Sequence, residues 1–520
     1  MSATASNLGR LLTHTARRIP DAPALVWRER TWSFAELDGR VDRLAAALRG
    51  LGIRKGDRVL VHSRNSNRMF ESMWACFKAG AVWVPTNFRL TPPEVAHLGA
   101  SSRAVAMLRD EGFGAHAEAV RAASPHLRHV VAMGDDAASG ELRYEALLAA
   151  NAPTLPDQEE DVGPGDPCWF FYTSGTTGRP KAAVLTHGQM AFVVTNHLAD
   201  LMPGTTERDA SLVVAPLSHG AGIHQLAQVA RGAATVLTAG ERLDPAEAWA
   251  LVEKHRVTNM FTVPTILTAL VRHPAVDRHD HSSLRHVVYA GAPMYAADQA
   301  EALAKLGPCL VQYFGLGEVT GNITVLRPDM HLPENAGSCG VARTGMEIAI
   351  LDAQGTRLPP DAVGEICVRG PAVFAGYFEN EEANRAAFAH GWFHTGDLGR
   401  LDARGFLWIT GRASDMYISG GSNVYPREAE EAILTHPAVA ECAVVGLPHP
   451  RWGEAGVACV VPREGATVTE DAVLAHLRDR IARYKQPLRV VVWDALPKSG
   501  YGKVPKALVK ARLAEQGVSF

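Results

Sequence analysis

Between residues 35 and 314 the chain alternates helix-patterned stretches with short apolar runs of strand length. AELDGRVDRLAAALRG (35–50) repeats apolar residues at helical spacing, and GDRVLVHS (56–63) reads as a strand. NRMFESMWACFKAG, AVWVPTN and a helix from about Pro92 follow in turn, and the rhythm returns at 211–237, 245–263 and 284–314. Parallel strands need long crossovers, usually helical, so the pattern predicts a mostly parallel sheet covered by helices on both faces. The polar, Gly/Pro-rich stretch 135–167 is expected to be a long surface connection. After about residue 335 short strands separated by turns (GMEIAILDAQGTRLPP, GEICVRG, GFLWITGR) predict antiparallel β structure. From about 415 a smaller α/β unit is expected, with PREAEEAILTH and EDAVLAHLRDRI as helices and VAECAVVGLP and EAGVACVVP as strands. A chain of 520 residues exceeds what one core usually supports. The change of texture places a boundary near ITGRASDM, between a large domain, 1–411, and a small one, 416–520.

Several function classes are disfavoured by composition. A formal charge of −3, from 52 basic and 55 acidic residues, argues against a nucleic-acid coat or a general membrane-surface binder. No run approaches the roughly 18 apolar residues of a membrane span, and MSATASNLGRLLTHTARR lacks a signal-peptide core. Seven scattered cysteines without a C-x-x-C pair fit reduced thiols in a cytosol, each a small buried hydrophobe.

Residues 170–187, FFYTSGTTGRPKAAVLTH, hold the densest chemistry. Phe170 to Tyr172 read as the end of a buried strand, and Ala182 to Leu185 as the start of another apolar element. Between them glycines free the backbone to approach a ligand, four hydroxyls add donors, and Lys181 supplies a point charge suited to phosphate oxygens. A polyphosphate is the expected ligand. Because Lys181 follows Pro180 and precedes Ala182, the loop does not match the G-x-x-x-x-G-K-[ST] pattern of P-loop nucleotidases, and a different fold is required.

Five motifs occur in one order: YTSGTTGRPK, FGLGE (314–318), GWFHTGDLGRLD, GRASDMYISGGSNVYPREAE and PKSGYGKVPK. Together they resemble the adenylate-forming superfamily of acyl-CoA and aryl-CoA synthetases, luciferases and peptide-synthetase adenylation domains, over nearly the full length. The fold implied is α/β: a large N-terminal domain of parallel-sheet layers with an antiparallel β subdomain, and a small mobile C-terminal α+β domain. The chemistry implied has two steps, carboxylate attack on the α-phosphorus of ATP and then displacement of AMP by the thiol of coenzyme A.

The resemblance also implies roles. Thr173, Ser174, Gly175, Thr176, Thr177 and Lys181 would hold the β and γ phosphates, and Glu318 would bind Mg2+. Asp397 would accept from the ribose hydroxyls, with Arg412 touching the ribose or phosphate. Adenine would lie against Ala290, Gly291 and Ala292 and stack on Phe314, followed by Gly315. Lys503 would bridge the carboxylate and the α-phosphate from the small domain, while Lys498 and Lys506 are read as ordinary surface lysines. His219 would line the acyl channel and shield the adenylate, so that Lys503, Glu318, His219 and Thr173 make the catalytic set. Rotation about 412–415 would replace the Lys503 face by that of Gly420 and Gly421 beside the pantetheine tunnel, with Trp452 a weaker tunnel candidate. Three positions depart from the family pattern: Phe314 where tyrosine is usual, a change that stacking would survive, Ser414 at the hinge, where Asp415 could substitute, and Gly317 where threonine is typical, a role open to Thr320 or a water.

Amino-acid-activating members carry an aspartate near the channel histidine, and SHGAG (218–222) has no carboxylate, so an amino acid is not expected. Small residues at Ser218, Gly222 and Gly291 suggest a roomy slot; with His219, Gly317 and Asn322 they suit an aryl acid of the 4-coumarate or ferulate kind, or a medium-chain acid. Alternatives are an adenylate-forming enzyme that loads a carrier protein or another acceptor, and a non-catalytic nucleotide-binding protein. The expected partners are a small carboxylic acid, ATP and CoA, without nucleic acid or an integral membrane segment, and a homodimer is allowed.

Overall fold

The computed structural model describes residues 7–153, 160–174, 180–292, 294–498 and 504–520. Two large parallel-rich sheets carry most of the chain. The first has seven strands in the order Leu142–Arg143, His129–Ala132, Ala106–Arg109, Arg58–His62, Val82–Thr86, Pro167–Ser174, Pro180–Thr186. All pairs are parallel except the last, a hairpin with Thr173 opposite Lys181. The second has nine strands, with Leu310–Phe314, His286–Tyr289, Asn259–Thr262, Ala210–Val213, Ala234–Leu237 and Pro23–Trp27 parallel at its centre. Antiparallel strands Thr324–Leu326 and Val341–Ala342 close one edge and Arg30–Ser33 the other.

The central strands are apolar almost throughout because helices cover both faces: all five residues of Val82–Thr86 and all four of Ala234–Leu237 are buried. Local chemistry sets the helix ends. Ser33 and Glu36 form a reciprocal capping box on Phe34–Gly50, and left-handed Gly232 ends Gly220–Arg231. One core runs through both sheets and reaches a third, four-stranded antiparallel sheet, Glu347–Leu351, Gly364–Arg369, Phe393–Leu401 and Leu407–Arg412, so Val61, Trp169, Leu226, Val311 and Ile366 belong to one cluster.

Arg412 ends that third sheet and Tyr417 begins a fourth, in which the long hairpin Val439–His449 and Gly453–Pro462 is flanked by Tyr417–Ser419, Ser422–Val424 and Arg489–Val492. This unit has its own cores around Val444 and Trp493. Its helix Pro426–Leu434 lies against the larger body, where Glu431 accepts a hydrogen bond from the backbone of Ala296.

The stretch 135–167 departs from the expected surface connection. Arg109 is 1% exposed and pulls Asp136 and Glu141 onto itself at 2.8 and 2.5 Å. Helix Tyr144–Ala150 follows, and the Tyr144 hydroxyl donates to buried Glu71 at 2.7 Å. A buried guanidinium and a buried carboxylate demand partners, and this segment supplies them. All seven cysteines are buried and unpaired, and among the described residues no helix is long and apolar enough to cross a membrane.

Candidate active site

The hairpin Pro167–Ser174 and Pro180–Thr186 places Thr173 and Lys181 side by side at the root of its loop. Gly175, Thr176 and Thr177 lie outside the described residues, as does Lys503. The far edge of the hairpin is extended by residues 374–378: Val184 donates to Gly376 O at 2.9 Å, and Phe378 donates to Ala182 O at 2.9 Å. This pairing carries Tyr377 to the loop. Glu318, 5% exposed on the turn after strand Leu310–Phe314, accepts at Oε1 from Thr173 Oγ1 (2.8 Å) and Tyr377 OH (2.9 Å). Burial, and then the Glu318 charge, push the Tyr377 phenol up, so it stays a donor. The Lys181 ammonium stands 5.1 Å from the centre of the Tyr377 ring. Glu318 Oε2 makes no hydrogen bond to a described residue and is left as a hard oxygen donor, which fits a magnesium ion carried in by phosphates.

Gly317 is explained by contact. A Cβ there would lie 2.5 Å from Phe171 Cδ1 and 2.9 Å from Thr173 Cγ2, so the Phe171 ring fills the volume a threonine would need. Thr320 does not stand in for the lost hydroxyl: its Oγ1 donates to Val319 O at 2.7 Å and accepts from Asn322 Nδ2 at 3.0 Å.

Asp397 and Arg412 face each other across the third sheet, with Arg412 Nε 3.2 Å from Asp397 Oδ1. The carboxylate is 6% exposed, whereas the guanidinium is open to solvent. The turn before Asp397 is braced from both sides. Thr395 Oγ1 donates to Ile366 O, His394 sits between Glu365 and Ala389 O, and Gly396 O accepts from Ala413 N at 3.0 Å. The turn that carries Asp397 is therefore tied to the residue after Arg412. Ser414 Oγ donates to Asp415 Oδ1 at 3.3 Å, and the Asp415 N–H closes a turn on Arg412 O.

Gly291 is exposed in the left-handed region (φ +82°), between buried Ala290 and half-buried Ala292. Phe314 is half-buried, and Gly315 packs on Gly321 so closely that a Cβ would lie 2.5 Å from its backbone. Gly420 donates to Trp452 O at 2.9 Å, its Cα face lies on the indole, and Gly421 follows at φ +83°. Of the two flanking lysines, Lys498 forms an exposed pair with Glu441 at 2.7 Å, but Lys506 is largely buried in a pair with Glu430, which corrects its reading as a bland surface residue.

His219 stands at the N-cap position of helix Gly220–Arg231, shares a 2.8 Å bond with Ser218 Oγ through Nδ1, and meets the Phe171 ring edge-on at 5.2 Å. Gly222 does not open a slot: a Cβ there would lie 2.1 Å from Leu217 O and 3.1 Å from the Trp169 ring, so its smallness is consumed by packing. Asn322 is fully buried, with Nδ2 on Thr320 and Oδ1 without a partner among the described residues. Tyr377 was not legible in advance; its only signal is an aromatic residue after Gly376 in AGYFEN.

The sequence profile described as AMP-binding enzyme matches residues 12–378, and that of the AMP-binding enzyme C-terminal domain matches 428–503. A feruloyl-CoA synthase of Amycolatopsis sp is 40% identical over 97% of this chain and 99% of its own length. An indoleacetate–CoA ligase of Aromatoleum aromaticum is 36% identical over 96% of each chain. The crystal structure of the anthranilate CoA ligase AuaEII in complex with anthranoyl-AMP superposes with a TM-score of 0.90 over 99% of both chains at 26% identity. The chain belongs to the AMP-binding enzymes of the adenylate-forming superfamily.

Proposed function

We propose that this protein is an AMP-forming acid–CoA ligase acting on an aryl carboxylic acid. The reading is carried by the convergence of Thr173, Tyr377 and Glu318 at the root of a hydroxyl- and glycine-rich hairpin. It is supported by likeness over 97% of the chain to a feruloyl-CoA synthase. The acid's carboxylate oxygen attacks the α-phosphorus of ATP, the bond to the pyrophosphate oxygen breaks, and acyl-AMP forms. The CoA sulfur, having given up its proton, then attacks the acyl carbon and AMP leaves.

Each step assigns work to residues of this chain. Thr173 and Lys181, with the loop between them, hold the β and γ phosphates, and Asp397 holds the ribose against Arg412. Glu318 would hold Mg2+ through its unengaged oxygen, and the ion would offset phosphate charge. Lys503 stabilises the charge that develops during adenylation, and its replacement by alanine is expected to slow that half-reaction by about 10²–10³. The turn at 412–415 is the hinge between domains 1–411 and 416–520, and its rotation brings Gly420 and Gly421 to the site for thioester formation. Seven unpaired cysteines support a cytoplasmic setting.

The test uses purified protein, ATP, Mg2+ and a panel of aryl and medium-chain acids, with and without CoA. AMP and an aryl-CoA ester in equal amounts are expected. Pyrophosphate release without a CoA ester would redirect the acyl group to another acceptor, and no acid-dependent pyrophosphate with any acid would overturn the reading.

A further inference from the structure

Arg343 is a buried cation that its neighbours satisfy only in part. Its side chain is 0% exposed, and among the described residues Nη1 and Nε make no hydrogen bond. The nearest carboxylate oxygen, Asp200 Oδ2, stands 3.7 Å from Nε and is beyond hydrogen-bond reach; Asp200 is instead held by the Thr344 N–H and hydroxyl at 2.8 Å each. Nη2 points at His197 Nδ1 (3.3 Å), but that nitrogen also faces Val193 O at 3.1 Å. Burial holds His197 far below the usual imidazole range, so it is neutral and carries one ring proton. If that proton is on Nδ1 it serves Val193 and Nη2 meets no lone pair; if not, Nδ1 and the carbonyl repel. His197 also opens the π-helical turn His197–Leu201, a local departure from α geometry of the kind found at functional sites.

The position of Arg343 follows from a continuous wall that begins at the reacting end. Phe171 packs on Gly317, beside Glu318, and touches His219. Gly220, next in sequence, lies on Phe261, where a Cβ would come within 2.6 Å of the ring. Phe261 stacks on Tyr313 at 6.0 Å, and the Arg343 guanidinium carbon lies 5.9 Å from the Tyr313 ring. The Arg343 N–H bonds to Ile323 O at 3.0 Å, which sets it behind Asn322 with its unpartnered Oδ1.

Resting on the acid–CoA ligase reading, we propose that Arg343 closes the far end of the acid pocket and reads an uncharged acceptor oxygen on the end of the acid remote from its reacting carboxylate. Asp200 already supplies an opposing charge nearby, so a neutral oxygen such as a phenol, methoxy or ketone completes the guanidinium without leaving a surplus negative charge.

The test compares matched acids that differ only in a distal hydroxyl or an isosteric methyl: 4-hydroxy- against 4-methylcinnamate, and 4-hydroxy- against 4-methylphenylacetate. The readout is kcat/KM for acid-dependent AMP formation by the full chain. The hydroxylated acid is expected to lead by about 10-fold or more on the skeleton that is turned over, and Arg343→Leu should bring the ratio to about 1. If Arg343→Leu does not fold, Arg343→Gln, with fewer donors, should lower the same ratio. A wild-type ratio near 1, or a ratio that survives in the folded variant, overturns the assignment. No acid-dependent AMP from any acid defeats the ligase reading itself.

Discussion

The nucleotide side and the acid side of this site are built by different means. On the proposed nucleotide side neighbours along one hairpin face each other, Thr173 and Tyr377 reach Glu318 within 3 Å, and Glu318 Oε2 makes no hydrogen bond to a described residue. On the proposed acid side, segments far apart in the chain (197, 219–222, 261, 313, 322, 343) meet through rings and glycine contacts, and several polar atoms have no partner among the described residues. The first arrangement suits a ligand that every family member shares. The second suits a ligand that varies, because unpaired donors and acceptors cost stability until a chosen substrate answers them.

The largest expected effect breaks the nucleotide side alone. Glu318→Ala removes the oxygen proposed for the metal and strands two hydroxyls, and kcat/KM should fall about 10²–10³-fold with every acid in the same proportion. A loss that depends on the acid would show that the two sides are not separable. Tyr377→Phe is milder. It deletes one of the two bonds to Glu318, a loss of about 1.5–3 kcal/mol for a bond to a charged group. It should appear as weaker ATP binding by calorimetry with the ranking of acids retained. Gly220→Val attacks the acid side through packing. Its branched side chain would enter the Phe261 ring, costing about 1–3 kcal/mol in denaturant-derived stability and lowering kcat/KM unequally among acids of different width.

The hairpin of the proposed nucleotide side is legible in the sequence because its residues are consecutive. YTSGTTGRPK puts hydroxyls, glycines and lysine in one loop, and HTGD puts Asp397 in one turn. The alternation before residue 314 likewise announced parallel sheets, since apolar periodicity is local. Tyr377 escaped because it reaches Glu318 through main-chain pairing with a strand nearly two hundred residues earlier. Gly222 was misread because a small residue marks either open space or a close contact, and only the Leu217 carbonyl decides which. Arg343 carries no signal at all in GVARTG; an arginine on a surface turn looks the same until its burial is known.

The smallest effect concerns protons and sharpens the comparison. His224, fully buried on the proposed acid side, donates at Nε2 to Asn259 Oδ1 at 2.9 Å, and its Nδ1 has no partner among the described residues, so an added proton would find no acceptor there. Burial lowers its pKa to about 4, the value reached also by His187 behind the nucleotide hairpin, whose Nδ1 accepts from the Leu8 N–H at 3.2 Å. In the unfolded chain both return to about 6.5. Between these values the unfolded state binds more protons than the folded one, so stability is intact above about pH 6.5 and falls as pH drops toward 4. Each imidazole contributes up to about 1.4 kcal/mol per pH unit. Urea melts at pH 7, 5.5 and 4.5 should show this slope, and His224→Gln should flatten it by one proton's share while His187→Gln does the same. If only the His187 variant flattens the slope, His224 is already reached by water, and the acid side is wetter than its packing implies.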